Sequence, residues 1–455
     1  MIVAAGLVSA CSTYYEIHRD FNYDFERGNL NDALRSLRKD KRGDNGSARF
    51  LYMVNNGLLL SMLGKYDNSN DYFEKAYLFG EDYRVNYAFE FASYLTNPQV
   101  TVYRGEDHEH LMLLYYKALN YLKEDDYEEA LVECRRLNLR LQQLSDKYTS
   151  GDKYRRDAFI HNLMGIIYQA SGDWNNAFIA YRNSFEIYNT DYARLFHISA
   201  PRQLKNDLLT SAYMTGFTEE FERYKLEFGM EDFEVSRPDG ELVFFWHDGL
   251  SPVKYEYNIN FAIDHGSDNV VVFSNKNFAM SFPFHVDDDG DQSSLTDLEF
   301  FRVAFPRYAE RPVYYADGSL NVNGTDYPLE LAQDVNKIAF HSLEQRMFAE
   351  FSKTLLRAAL KKAVEKSLRR EDKVLGSLLG IVNAMTEKAD TRNWQTLPHS
   401  IYYSRVPLLD GKNDATFEVS GSSGEKTEYT FSYSAKKRQT LFHTFSSLES
   451  LPANY

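Results

Sequence analysis

Two short stretches carry residue types that bind metal ions. The segment EDHEH (106–110) places His108 and His110 beside acidic residues, but alternate residues in a loop or at the start of a helix do not converge on one ion. The segment HVDDDGDQ (285–292) has the acidic pattern of half a calcium loop. It lacks an oxygen ligand at the first position and a bidentate carboxylate at the last. We therefore expect no metal site, and interpret the two stretches as a solvated loop and an acidic turn.

Residue patterns for nucleophilic catalysis or phosphate binding are absent from the sequence. It holds no Gly-x-Ser-x-Gly motif and no glycine-rich phosphate-binding motif. Cys134 follows the apolar spacing of a helix, which favours a small buried residue over a nucleophile. An enzyme would need a cleft with two carboxyls of shifted pKa, for instance among Asp287, Asp289 and Asp334. We expect no catalytic residue and no cofactor.

Length, charge and cysteine content limit the class of protein. A chain of 455 residues is expected to form two or more cores. A net charge of -15 excludes general nucleic-acid binding, because neutralising phosphates requires a basic surface. Two cysteines, Cys11 and Cys134, exclude a disulfide framework and a cysteine-rich zinc site.

The elements that must position any site begin with a recurring helical pattern, seen best in NLMGIIYQASGDWNNAFIAY (162–181). Each copy predicts two helices joined by a tight polar turn, with a small residue on each helix and an aromatic or apolar residue four positions after the second small one. Small residues let antiparallel helices approach closely, and the larger residue fills the remaining groove. The small residues of the first helix are Gly57, Ala118 and Gly165; those of the second are Ala33, Ser69, Ala130 and Ala177, followed by Leu37, Phe73, Cys134 and Tyr181.

This pattern resembles the tetratricopeptide repeat over residues 20–229, and most closely over 162–188. The small residues of the second helices are 36, 61 and 47 positions apart, so the helices or loops are longer than in a repeat of about 34 residues. The resemblance implies an all-α solenoid over 11–230 whose concave face binds an extended peptide or a partner helix. The alternative is that extended helices or the C-terminal domain fill that groove. The resemblance places on the concave face Tyr115, Leu119, Asn162, Ile166 and Gln169.

After Gly229 the pattern changes to period-two alternation, which predicts strands. Strand patterns, a long helical segment and further strands predict an α+β domain over 231–455 with a mainly antiparallel sheet. We predict a strand–turn–strand unit in 240–263, its continuation as strand in 269–284, a hairpin in 311–330 that turns at Asp317 and Gly318, and further strands in 397–445. Between them we predict a helix over 343–371 and an apolar segment over 374–385.

Two segments of this domain could contact other molecules. The loop 390–398 contains Arg392 and Trp394, residue types that dominate binding hot spots, although Trp394 could instead pack over the junction between helix and strand. The basic and apolar segment 360–385 could lie on a bilayer surface, which would make the chain a structural membrane-associated protein. The alternative for that segment is a solvated helix face that leads into a buried helical hairpin.

The chain opens MIVAAGLVSAC, an apolar run of ten residues before Cys11. The run is too short for a transmembrane helix, which needs about 20 residues, but fits the apolar region of a secretory signal. Its VSAC end resembles the bacterial lipobox, which implies a signal over 1–10 and a lipid on Cys11. Ser12 is not the aspartate of inner-membrane retention, so the resemblance implies the periplasmic face of the outer membrane. Because no Lys or Arg precedes the run, we expect the true start upstream; the alternative is an unprocessed N-terminus.

The whole layout resembles an uncharacterised group of bacterial envelope lipoproteins that join tetratricopeptide-like repeats to a C-terminal mixed domain. The resemblance implies a non-enzymatic scaffold or adaptor in envelope assembly, held to the membrane through Cys11 and to envelope proteins through the repeat groove. The alternative is a hydrolase or cell-wall-modifying enzyme with its site in the C-terminal domain.

Overall fold

A computed structural model describes most of the chain. Cys11, the predicted signal 1–10, the basic and apolar segment 360–385, and Asp287 and Asp289 lie outside the described residues. Within the described residues, no helix combines the length and the apolar character needed to cross a membrane. The described ranges are 13–40, 43–82, 102–147, 154, 156–236, 238–265, 270–275, 280–285, 300–344 and 389–453.

The N-terminal half consists of helices that pack in successive hairpins, α2 with α3, α4 with α5, α6 with α7, α8 with α9 and α10 with α11. We call these helices together the helical array. After α9 the chain continues through a π-helical turn, Tyr188–Tyr192. The helices are α1 (Tyr14–Ile17), α2 (Arg19–Glu26), α3 (Leu30–Arg38), α4 (Arg49–Met62), α5 (Tyr66–Asp82), α6 (Asp107–Lys123), α7 (Tyr127–Lys147), α8 (Ala158–Ala170), α9 (Trp174–Ile187), α10 (Arg202–Thr215) and α11 (Thr218–Phe228).

The close approach predicted from the small residues is confirmed. A Cβ added to Gly57 would lie 2.6 Å from Cε1 of Phe73, and one added to Gly165 would overlap the ring of Tyr181. The turn glycine Gly172 has a φ of 82°, a left-handed conformation that glycine adopts without the steric cost of a Cβ. Local sequence therefore determines the hairpins. Cys134 is buried and its pKa is raised by burial, in agreement with a packing role.

The described residues of the C-terminal half form three four-stranded sheets, where the sequence predicts one mainly antiparallel sheet. Their strand orders are β12-β1-β9-β8, β11-β10-β6-β7 and β4-β3-β2-β5. All pairings are antiparallel except that of β1 with β12, which is parallel. The strands are β1 (Gly240–Asp248), β2 (Val253–His265), β3 (Val270–Asn275), β4 (Met280–His285), β5 (Phe300–Ala309), β6 (Tyr315–Val322), β7 (Thr325–Pro328), β8 (Glu330–Asp334), β9 (Ser400–Leu408), β10 (Gly411–Gly421), β11 (Lys426–Ala435) and β12 (Thr440–Ser447).

Strand β1 lies at the centre of the fold because both of its faces are covered. Val243 and Phe245 belong to the core shared with the helices, whereas Phe244 and Trp246 belong to the core shared with the sheet of β10. Successive side chains of a strand point to opposite faces, so the apolar run LVFFW fills two cores at once. The β12-β1-β9-β8 sheet is thus a middle layer between the helical array and a second sheet.

The strand–turn–strand unit predicted for 240–263 is confirmed, whereas the turn predicted at Asp317 and Gly318 is wrong. The segment 240–263 forms two strands as predicted, but β1 and β2 belong to different sheets and do not pair. The hairpin predicted in 311–330 turns at Asn323 and Gly324, both with positive φ, and Gly318 lies within β6. A Cβ on Gly318 would lie 2.8 Å from Cζ3 of Trp246, so this glycine is needed for packing between sheets.

Residues 335–344 are helical and form α12 at the start of the predicted long helical segment. The side chain of Asp334 accepts a hydrogen bond of 2.7 Å from the backbone N–H of Lys337. This carboxylate therefore caps a helix N-terminus. The greater part of the predicted helix 343–371 lies outside the described residues.

Candidate functional site

The inner face of the helical array packs against the β12-β1-β9-β8 sheet of the same chain. Tyr115 is fully buried, and its hydroxyl lies 2.8 Å from Nε2 of His247 on β1. Burial lowers the pKa of His247 to about 3, so this imidazole is neutral at ordinary pH. The neighbouring inner-face residue Leu119 is also buried. The predicted groove is closed at this level by the chain's own C-terminal domain.

The same closure continues along α8. Asn162 and Ile166 are fully buried, and Asn162 neighbours the hydroxyl of Tyr403 on β9. The prediction that these residues, with Tyr115 and Leu119, bind an external partner is therefore wrong for this arrangement. The alternative, that the C-terminal domain fills the groove, describes the structure. The physical reason is that a sheet with apolar residues on both faces needs a second covering layer, and the array supplies it.

Hydrogen bonds tie the two halves together along the length of the array. The carboxylate of Glu330 on β8 accepts from the backbone N–H groups of Arg202 and Gln203, at 2.9 and 2.8 Å, and so caps α10. The Gln333 side chain accepts from the Tyr192 hydroxyl at 2.8 Å and donates to Asp157 at 2.9 Å. These polar contacts, of which those of Gln333 are buried, fix the position of one half relative to the other.

The loop 389–399 is buried where the two halves meet and is not a surface for recognition. We call this loop the interior tie. Trp394 is 1% exposed, and its ring packs in tilted contacts against those of Phe73 and Tyr116 of the array, with centroids 6.2 and 6.1 Å away. Arg392 is 6% exposed and donates to the carboxylate of Asp390 and, at 2.8 Å, to the backbone carbonyl of Ser47. The prediction that Arg392 and Trp394 form a binding loop is therefore wrong, and the alternative of packing over the junction holds.

The start of α6 contributes a buried acidic pair to this tie, where the sequence predicts a solvated loop. Glu106 pairs with Lys254, and Glu109 accepts from the backbone N–H of Trp394 at 2.7 Å. Burial and the nearby Glu106 raise the pKa of Glu109 to about 7. Within the described residues, no group of three or more His, Cys, Asp or Glu side chains is arranged to hold a metal ion.

One inner-face residue, Gln169, is placed differently, because it lines a cleft of about 760 Å³ at the junction of the two halves. We call this cavity the junction cleft. Residues of α8, α9 and α10 form one side, and the start of β1 and the β11–β12 turn form the other. A cleft of this size between two structural units is a usual place for a ligand or a partner segment. Its lining residues include Gln169, Trp174, Met214, Asp239, Glu241, Lys437 and Arg438.

A buried chain of hydrogen bonds fixes the Gln169 side chain. Nη2 of Arg405 donates to the Tyr181 hydroxyl at 3.1 Å, and that hydroxyl donates to Oε1 of Gln169 at 2.9 Å. Arginine has no acceptor atom, so the hydroxyl has its single proton left for the amide oxygen. The amide is thereby oriented with Nε2 as its remaining donor, and no atom in the described part of the chain accepts from it.

Arg405 is held from two further sides. Its guanidinium lies 3.0 Å from Oδ1 of Asp207 on α10 and 2.7 Å from Oε2 of Glu241 on β1. Although burial disfavours the charge, Asp207 and its neighbours keep the pKa of Arg405 above its ordinary value. The carboxylate of Glu241, which lines the junction cleft, thus shares one buried cation with Asp207.

The β11–β12 turn places two cations on the wall of the junction cleft. Lys437 and Arg438 are exposed, and the described residues give neither an ion-pair partner. Arg438 has a φ of 62°, a left-handed conformation that is unusual for residues other than glycine and asparagine. Its backbone N–H donates to the carbonyl of Asp239, which holds the turn against the start of β1. The turn therefore keeps an arginine where glycine would be less strained.

Sequence reasoning identified Gln169 but missed the other residues of this site. Arg405, Asp207 and Glu241 are far apart in the sequence, and only the fold brings them together. One signal was present: Arg405 interrupts an otherwise apolar strand, IYYSRVPLL, and an arginine there must be paired if it is buried.

Comparison with known proteins does not identify a function for this site. No family model matches the chain, and no curated protein matches it. The solved structures that are similar to part of it include MamA and BtubC. MamA (residue 41 to the end) from Desulfovibrio magneticus RS-1 is 16% identical, with 48% of this chain and 92% of that chain covered and a TM-score of 0.29. BtubC from P. vanneervenii is 12% identical, with 48% and 80% covered and a TM-score of 0.31. TM-scores this low do not establish a common fold.

Proposed function

We propose that this chain is a non-enzymatic adaptor that binds a partner protein of the bacterial envelope at the junction cleft. The observation that carries the proposal is the cleft itself, a cavity of about 760 Å³ lined by residues of both halves. It combines apolar side chains with donors and cations, which suits a protein segment more than a small reacting molecule.

The closed groove supports this location. The C-terminal domain covers Tyr115, Leu119, Asn162 and Ile166, so a partner has no access to them while the two halves are in contact. Gln169 is also largely buried, at 7% exposed, but it lines the junction cleft. In this proposal the array and the β-rich domain act as one rigid body that presents a composite surface.

The proposal includes the membrane anchor implied by the lipobox. A lipid on Cys11 would tether the adaptor to the periplasmic face of the outer membrane. Metabolic labelling with an alkyne fatty acid tests this step: wild type is expected to carry the label and Cys11→Ser to lose it. Cys134 is a natural control, because it is buried in the folded array and present in both proteins. Label retained by Cys11→Ser would contradict the anchor.

Site-specific photo-crosslinking in living cells tests the adaptor itself. A benzophenone amino acid at Met214, inside the junction cleft, is expected to capture a discrete envelope protein. The matched control places the same probe at Ser423, an exposed residue at the opposite end of β11 from the cleft. Identical adducts at both positions, or none at Met214, would refute a partner site in the cleft.

A further inference from the structure

The donors that line the junction cleft indicate what kind of partner segment it accepts. We propose that the cleft binds an extended peptide through a carboxylate group, held by Gln169 and Arg438, with an apolar side chain of the peptide against Trp174 and Met214. This inference rests on the proposed adaptor function and specifies the chemistry of its ligand.

Gln169 presents a directed donor to the cleft. The hydrogen bond from the Tyr181 hydroxyl to Oε1 orients the amide, and no atom in the described part of the chain accepts from its Nε2. A ligand that offers an acceptor would satisfy this donor. The orientation is not adjustable, since turning the amide over would break a buried contact that Arg405 supports from behind.

Two exposed cations line one side of the junction cleft. Among the described lining residues, Asp239 and Glu241 equal Lys437 and Arg438 in number, but Glu241 already forms an ion pair with the buried Arg405, which Asp207 shares. Lys437 and Arg438 have no ion-pair partner among the described residues and therefore favour an anionic group on the ligand, although the whole chain carries a net charge of -15.

Part of the junction cleft has an apolar wall. Trp174 and Met214 line the cleft as half-buried side chains, and both belong to helices that are fixed by their own hairpins. A free phosphate or sulfate would leave these side chains in water, whereas a peptide would cover them with an apolar side chain. Amphipathic Trp and flexible Met are suited to contact with varied side chains.

The tryptophans provide a direct readout in the full-length protein. The chain has three, of which Trp246 and Trp394 are completely buried and Trp174 lines the cleft. In protein labelled with 5-fluorotryptophan, ligand binding is expected to shift one of the three fluorine resonances. Trp174→Phe assigns that resonance by removing it.

Three probes separate the sources of a carboxylate. They are N-acetyl-Ala-Ala-Phe with a free C-terminus, the same peptide as its C-terminal amide, and N-acetyl-Ala-Phe-Glu amide. Saturable shifts of the Trp174 resonance by the first or third peptide, with at least tenfold weaker binding of the second, support the inference. A preference for the first assigns a chain terminus, and a preference for the third assigns an acidic side chain. Equal binding of all three, or binding of none, overturns it.

Two variants test the residues without relying on a loss of folding. Arg438→Gly removes the cation but relieves the left-handed backbone, so it is expected to bind the carboxylate probe at least tenfold more weakly at an unchanged or higher Tm. Gln169→Glu keeps an acceptor for Tyr181 and removes the Nε2 donor, with a similar expected loss. Arg19→Gln, at an exposed cation on α2, is the control for charge. Unchanged affinity in both cleft variants overturns the inference.

The two levels of the proposal can fail separately. If the probe at Met214 captures an envelope protein while no carboxylate peptide moves the Trp174 resonance, the adaptor function stands and the ligand chemistry is wrong. If carboxylate peptides bind and no protein is captured, the site stands and the adaptor function is wrong.

Discussion

Tyr181 shows how one side chain serves packing and recognition together. Its ring fills the space left by Gly165 on the neighbouring helix, and its hydroxyl stands between Arg405 and Gln169. Because the ring is fixed by the close approach of two helices, the hydroxyl is fixed as well. The orientation of the Gln169 amide therefore depends on a glycine that does not line the junction cleft.

This dependence predicts the effect of Gly165→Ala. The new methyl group would overlap the buried ring of Tyr181, and relief requires the two helices to separate. We expect the free energy of unfolding to fall by about 1–3 kcal/mol, as for other overpacked cores. Chemical denaturation of Gly165→Ala, Tyr181→Leu and the double variant measures it. The double variant should be more stable than the sum of the two losses predicts, and strict additivity would contradict a direct clash.

A second residue, Asp248 at the end of β1, predicts a dependence of stability on pH. Burial raises its pKa from 3.8 to about 7, although the Ser447 hydroxyl donates to its Oδ1 at 2.9 Å. The folded state holds the proton more tightly than the unfolded state, so this group's stabilising contribution is present below pH 4 and is lost as pH rises toward 7. The loss is on the order of 2–4 kcal/mol.

Asp248→Asn removes that titration. The difference in unfolding free energy between variant and wild type should shift in favour of the variant as the pH rises from 4 to 8. Denaturation at several pH values measures this difference, with Asp410→Asn at an exposed carboxyl as the control. A difference that stays constant across the range would show that Asp248 does not titrate as stated.

Among the elements, α10 depends on a strand for its N-terminal cap. Its first backbone N–H groups donate to the Glu330 carboxylate on β8, and a carboxylate at this end also interacts with the helix dipole. Glu330→Gln keeps one acceptor and removes the charge, so the free energy of unfolding should fall by about 1 kcal/mol. Thermal and urea denaturation measure it, with Glu428→Gln on exposed β11 as the control. An equal effect of the two substitutions would argue against the cap.

The elements also show which parts of the fold could be predicted from the sequence. The hairpins follow from residues close together in the chain, such as Gly57 and Phe73, so the repeat pattern predicts them correctly. The turn assigned to Gly318 is wrong because that glycine accommodates Trp246, which lies in another sheet. A local pattern cannot distinguish a glycine needed for a turn from one needed for a distant ring.

At the scale of the whole molecule, the same limit applies to the candidate site. The sequence places Tyr115 and Asn162 on the correct face of the array, but not what covers that face. The residues that cover it include His247 and Tyr403. Both lie on strands that are far from the array in the sequence and meet it only in the folded protein. The cleft that Gln169 lines is formed by residues of α8, α9, α10, β1 and the β11–β12 turn, a combination that no single segment of the sequence encodes.

The covered face predicts that the two halves unfold as one unit. A shared core and contacts from Asn22 to Gln203 leave neither half with its own complete apolar burial. The fluorine resonances of Trp174 on α9, Trp246 on β1 and Trp394 in the tie sample three parts of the molecule. During urea denaturation all three should lose native intensity at one midpoint.

Gln333→Ala sharpens this test, since it deprives the Tyr192 hydroxyl of an acceptor and Asp157 of a donor at the boundary between the halves. Leaving buried polar groups unpaired should lower the free energy of unfolding by about 1–3 kcal/mol. In a single cooperative unit the midpoints of all three tryptophans move down together, whereas the exposed control Lys412→Ala leaves them in place. If Trp246 and Trp174 separated into two transitions, the halves would be independent domains. The junction cleft could then open, and the inner face of the array would again be accessible to a partner.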